Sequence, residues 1–125
     1  MTKSGLTLKQ LNKVLKKWQK KFLLQNWHLS IKITHFERKD FKQSGDIKVY
    51  PQKKKAIVLL SDQPFRNEEE TIIHELIHLL LWDFDHFCAK LIIKNYKHSS
   101  ENHNQYLSKL EKQVECLTNI LIKYK

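Results

Sequence analysis

The longest apolar stretch of the chain, Thr71 to Trp82, is interrupted by His74, Glu75 and His78, and the interruption restricts what the segment can become. A bilayer span needs about 20 consecutive apolar residues, so this stretch is too short and too polar to be one. It has instead the length and caps of a buried helix. Pro64 breaks the preceding extended chain, and Asn67 followed three residues later by Glu70 resembles a capping box. Glu68 and Glu69 are placed favourably against the helix dipole. The spacing predicts a helix from about residue 68 to about residue 82. On it His74 and His78 lie one turn apart on one face, with Glu75 rotated about 100° from His74.

Two imidazoles so placed can converge on one ion at about 2.0–2.1 Å, the range for zinc, and H-E-x-x-H is the spacing in which a helix does this. Glu75 is then better placed to hold a water on the metal than to ligate it, which is the position of a general base beside a Lewis acid. Leaving two imidazoles and a carboxylate in such apolar surroundings without an ion would be costly. A hydrolytic centre needs a third protein ligand and one open position. The continuation H-E-x-x-H-x-x-G-x-x-H is missing, because its last two specified positions are Leu81 and Phe84. Glu111 borders the apolar stripe Leu107, Leu110, Val114 on the last predicted helix and is the preferred third ligand. Glu115, one turn further on, is expected as a ligand or as a support for one. His86, His98 and His103 compete for the same place, and His103 or Tyr106 is a candidate to stabilise an oxyanion.

The remainder supplies a small scaffold. Leu8, Leu11, Leu15, Trp18 and Phe22 recur at helical spacing over about residues 7–24, with lysines between them. Leu29, Ile31 and Ile33 alternate with polar residues as in a half-buried strand, and Ile47–Tyr50 and Ala56–Leu60 read as two further strands, a hairpin across Pro51–Lys55. Asp83 or Asp85 is expected to cap a helix carrying Phe87, Cys88, Leu91, Ile92 and Tyr96. Ser99–Ser100 is expected to cap another, carrying Leu107, Leu110, Val114, Leu117 and Leu121. A length of 125 residues suits one domain spanning 1–125, and 41% hydrophobic residues with 2 Gly and 2 Pro exclude a disordered or collagen-like chain. The start, Met1 to Leu6, has no signal-peptide core, so a cytoplasmic location is expected. Cys88 and Cys116 lack a C-x-x-C spacing and are expected reduced and buried.

Charge is unevenly distributed. Residues 1–60 hold 15 Lys/Arg against 3 Asp/Glu, residues 61–88 hold 1 against 7, and residues 89–125 hold 7 against 3. A basic shell around an acidic centre can steer anions, nucleic acid among them. Of the 23 basic residues 21 are lysines, however, and arginine, the better phosphate reader, is nearly missing.

Through Trp27–Ile31, Gly45–Ile47, Lys55–Leu59, Glu70–Leu81 and Glu111–Leu121 the chain resembles small phage- and prophage-encoded H-E-x-x-H proteins related to the minimal gluzincins. The resemblance implies an α+β, minimal zincin-like fold: an N-terminal helix, a small three-stranded sheet over the motif helix, and C-terminal helices carrying a glutamate ligand. It implies His74, His78 and Glu111 as zinc ligands, the last within an E-x-x-V-E run similar to the family's glutamate pattern, and Glu75 as general base. The implied function is a zinc metallopeptidase hydrolysing a cytosolic protein or peptide substrate in a phage or mobile-element context. The strand Ala56–Leu60, if it borders the cleft, could pair with an extended peptide. Two other readings stand beside it. His78 to His86 superficially resembles part of a metal-dependent endoribonuclease motif, and a zinc-binding module without catalysis would use the lysine-rich surface on nucleic acid.

Overall fold

The computed structural model describes residues 6–37, 44–63, 67–95 and 99–123. Among these residues the architecture is α+β, four helices and a three-stranded sheet. Helix α1 (Leu8–Lys21) starts in a complete capping box: the Thr7 hydroxyl accepts from Gln10 N at 3.2 Å, and the Gln10 side chain accepts from Thr7 N at 2.8 Å. Its buried face is Leu11, Leu15 and Trp18. The helix stops short of residue 24 because Leu23 adopts a left-handed backbone (φ 58°). The Gln19 side chain then donates to the carbonyls of Leu24 and Trp27, fixing the turn into the sheet.

Strands β1 (His28–Thr34), β2 (Gly45–Tyr50) and β3 (Lys55–Ser61) lie in the order β1-β3-β2. β1 runs parallel to β3, and β2 antiparallel to it. The hairpin expected between β2 and β3 is present, turned by a 3-10 segment at Pro51–Lys53 and by Lys54 at φ 50°. Register places Leu29, Ile31 and Ile33 beside Ala56, Val58 and Leu60, with Ile47 and Val49 across from Val58 and Ala56. These side chains join the core with α1 and the motif helix, so the helices cover one face of the sheet. The strand expected to border a cleft is instead interior. β3 is the central strand with both edges hydrogen-bonded, so Ala56–Leu60 has no edge left for a peptide.

Helix α2 (Glu68–Leu80) is capped by the Asn67 side chain, which accepts from Glu69 N and Glu70 N. Glu69 accepts from Trp18 Nε1 at 2.7 Å and from Lys17 Nζ at 3.0 Å, tying α1 to the first turn of α2. α2 is buried nearly all round, the sheet and α1 lying on one side and α4 on the other. Its backbone breaks at Leu81, and α3 (Trp82–Asn95) begins at once, so Asp83 and Asp85 stand in its first turn and not at its cap. Helix α4 (Ser99–Lys123) buries Val114 and Thr118 against the rest. The capping roles of Ser99 and Ser100 and the packing of Tyr96 fall outside the described side chains.

The apolar periodicity of α3 and α4 overstates their burial. Phe87, Leu91, Leu107 and Leu117 are exposed, because α4 covers α2 along the Val114 line and α3 packs only on part of α4. Cys88 is half-buried, and Cys116 is exposed, two positions round the helix from Val114. Among the described residues no helix is long and apolar enough to cross a membrane.

Candidate metal centre

The H-E-x-x-H residues sit in the middle of α2, where the helix is sandwiched and every polar atom needs a partner. His74 and Glu75 are buried, and His78 is partly open to solvent. The two imidazole centroids are 5.0 Å apart, as the one-turn spacing requires. α4 supplies the acidic partners. Glu111 Oε1 lies 2.6 Å from His78 Nε2, and Glu111 Oε2 lies 3.2 Å from His74 Nε2. Glu115 Oε1 is 3.0 Å from the other ring nitrogen of His74, Nδ1. His74, His78 and Glu111 thus form a group whose ligand atoms fall within 4.8 Å of one another, and it could hold a metal ion.

The chemistry of this donor set fits a cation. A neutral imidazole has one N–H and can donate to one carboxylate, yet His74 faces one on each side. Whichever ring nitrogen carries the hydrogen, the lone pair of the other confronts a carboxylate oxygen, an arrangement that a metal ion between them would relieve. Ligands of a tetrahedral zinc ion stand about 3.3 Å apart. The His74–Glu111 separation already matches this, whereas the short His78–Glu111 hydrogen bond would have to open slightly.

Charge around the group follows from the same contacts. Hydrogen bonds from His74 and His78 hold the Glu111 carboxyl well below the usual carboxylate range, against the opposing effect of its partial burial. For His78 burial acts downward, but the hydrogen bond to Glu111 and the charges of Glu75, Glu111 and Asp85 outweigh it, and its pKa is raised. Burial pushes the Glu75 carboxyl up to about 7. The two histidines oppose that rise, and Asp46 and Glu111 add to it.

Gly45, the first residue of β2, explains how Glu75 comes to be so enclosed. A Cβ there would collide with the Thr71 methyl and stand 3.0 Å from the Leu59 carbonyl oxygen and 3.7 Å from Glu75 Oε2. The glycine is therefore required by the close approach of β2 to α2. It needs no unusual backbone angle.

Glu115 supports His74 from the side opposite Glu111. His86 is engaged by its own helix, with Nδ1 2.9 Å from the Trp82 carbonyl oxygen and its ring 4.0 Å from the Trp82 indole, outside the cluster. His103, two turns before Glu111, is also outside it, and His98 lies outside the described residues. The Tyr106 hydroxyl is a buried atom on the α3 side, near Asp85 and Cys88; burial first, and Asp85 next, raise its pKa. The sequence assigns no role to Asp46 and only a helix-capping one to Asp85, and it places neither near the ligand group. Only the Gly45-Asp46 pair at the start of β2 carried a signal, as one of the chain's 2 glycines next to a carboxylate.

Removing the Glu115 carboxylate should free the His74 ring to rotate and lose its fixed tautomer. Glu115→Ala is expected to weaken zinc binding about tenfold, the low end for such supporting groups because Glu115 is partly exposed. Competition with a chromophoric chelator measures it, and unchanged affinity would remove Glu115 from the site.

No protein-family model, curated protein or solved structure matches this chain.

Proposed function

We propose that the chain is a zinc-dependent peptidase with a minimal zincin-like architecture. The observation that supports this most is the pairing of a His74–His78–Glu111 ligand group with Glu75, one residue along the same helix, enclosed yet not needed as a ligand. Zinc on these residues would supply Lewis-acid polarisation of a scissile carbonyl and lower the pKa of water. Glu75 accepts the proton of the attacking water and returns it to the leaving amine, a task suited to a carboxyl whose protonated and ionised forms are close in energy near neutrality. Glu111 anchors α4 to both histidines, and Glu115 orients His74.

The peptide-binding strand in this reading is β2. It pairs with β3 on one edge, among the described residues no strand occupies its other edge, and its first residue abuts Glu75. An extended peptide added there brings a backbone carbonyl towards the ligand group. The endoribonuclease reading is weaker because it needs His86 at the metal, and His86 is tied to Trp82.

The test is incubation of zinc-loaded protein with a proteome-derived peptide library and detection of new termini by mass spectrometry, wild type beside Glu75→Gln. New termini formed by the wild type alone support the peptidase. Their absence, or their formation by both proteins, contradicts it.

A further inference from the structure

The charge asymmetry of the sequence becomes, in the fold, a defined surface on the side of α1 opposite its buried face of Leu11, Leu15 and Trp18. Lys9, Lys13, Lys16 and Lys20 are all exposed on α1, and their 4-3-4 spacing holds them within about 60° of arc over about 16 Å of helix. Leu8 and Asn12 share an open depression with the first three of them. α1 contains no acidic residue to relieve this row. Like charges at i, i+3 and i+4 destabilise a helix, and Lys9 also opposes the dipole in the first turn. A helix needing only a solvated outer face would be served better by mixed charge.

The row continues onto a segment distant in sequence. Gln19 holds the Trp27 carbonyl against the end of α1, the Lys54 ammonium lies 5.2 Å from the Trp27 ring centre, and His28 N donates to the Lys54 carbonyl. Lys54 of the β2–β3 turn therefore stands beside the C-terminal end of α1, where Lys20 and Lys21 lie. Asp46 and Asp62 lie at the opposite end of the strands, where Gly45 approaches Glu75, and the carboxylate that reaches α1, Glu69, is engaged by Lys17 and Trp18, outside the row.

We infer that this lysine face is a docking surface for the phosphate backbone of duplex DNA. An anionic membrane is a poorer fit, since the apolar side of α1 that would enter a bilayer is already spent in the core as Leu11, Leu15 and Trp18. Single strands are recognised by aromatic stacking, and the row on α1 from Lys9 to Lys20 has no exposed aromatic ring among its lysines, the exposed Tyr50 and half-buried Trp27 lying only beside Lys55 and Lys54. RNA duplexes are read through 2′-hydroxyls as well as phosphates, whereas this row carries ammonium groups with a single amide, Asn12, among them. Lysine point charges without arginine forks bind backbone and do not read bases, so the binding is sequence-independent.

The experiment is fluorescence anisotropy of a labelled 20-base-pair DNA duplex with the full chain between 50 and 200 mM salt. Three variants are measured: K9Q/K13Q/K16Q/K20Q on the face, K32Q/K90Q/K94Q/K109Q with equal charge loss elsewhere, and Glu75→Gln. Glutamine keeps helix propensity, and circular dichroism confirms that each variant is folded. The wild type is expected to bind with a slope of log K against log salt of about −4 to −6, and the face variant to lose at least about tenfold in affinity and about three units of slope. The dispersed variant should lose less than about threefold, and Glu75→Gln should bind as the wild type, since the surface is independent of the peptidase reading. Equal losses in both lysine variants, no binding at 50 mM salt, or preference for duplex RNA or for phosphatidylserine vesicles would overturn the inference.

Discussion

Glu75→Gln is expected to leave the protein folded and zinc-loaded but to reduce peptide hydrolysis by about two to four orders of magnitude, the usual contribution of a positioned general base. The substitution preserves volume in a buried site and leaves His74, His78 and Glu111 untouched. It removes only the group able to take a proton from water beside them. Initial rates on a cleaved peptide, measured together with zinc content, separate this from loss of the ligand group, which would lower both. A Glu75→Gln rate within about threefold of wild type would place the proton transfer elsewhere.

The second large effect is on stability in protein stripped of metal by a chelator. Glu75 has an ordinary pKa of 4.5 and is raised to about 7 by burial in the folded chain. Between these values the folded state holds more proton than the unfolded state, so stability falls as pH rises. Above pH 7 the penalty is complete, on the order of 3 kcal/mol. His78 acts in the same direction. Its pKa is raised from 6.5, so the stability it contributes is present below 6.5 and lost as pH climbs through the folded value. Glu111 acts oppositely, its contribution being present above 4.5 and lost as pH falls through its depressed value. Stripped protein should therefore be most stable near pH 5 and lose about 10 °C in Tm by pH 8. Glu75→Gln should flatten most of that slope, and zinc should reverse it by favouring the ionised carboxylate. A Tm that is level or rising from pH 5 to pH 8 in chelator would contradict the enclosure of Glu75.

What could be read before the fold was known is local. The cap at Asn67, the acidic first turn and the 3.6-residue period place His74, Glu75 and His78 on α2 because each signal acts within a few residues. Glu111 was within reach because it edges an apolar stripe whose centre, Val114, is fully buried. The stripe itself could not say which side of α2 it would cover, so Glu115 and the downstream histidines remained open until α4 was seen against His74. Strand order was beyond reach for a similar reason. Alternation in β1 and β2 reports one buried face and is silent about neighbours, and the continuous apolar run of β3 suited a cleft edge as well as a centre. The exposed Phe84, Phe87 and Leu91 show the converse: helical periodicity identifies an apolar face, while burial depends on whether another element reaches it.

The most direct test of the centre is metal content by mass spectrometry on untagged protein, wild type beside Glu111→Ala. About one zinc per chain in the wild type, sharply reduced in the variant, is the expected result for a site completed by α4. No zinc in the wild type after supplementation, or equal zinc in both proteins, would contradict it and leave His74, Glu75 and His78 as core residues of α2.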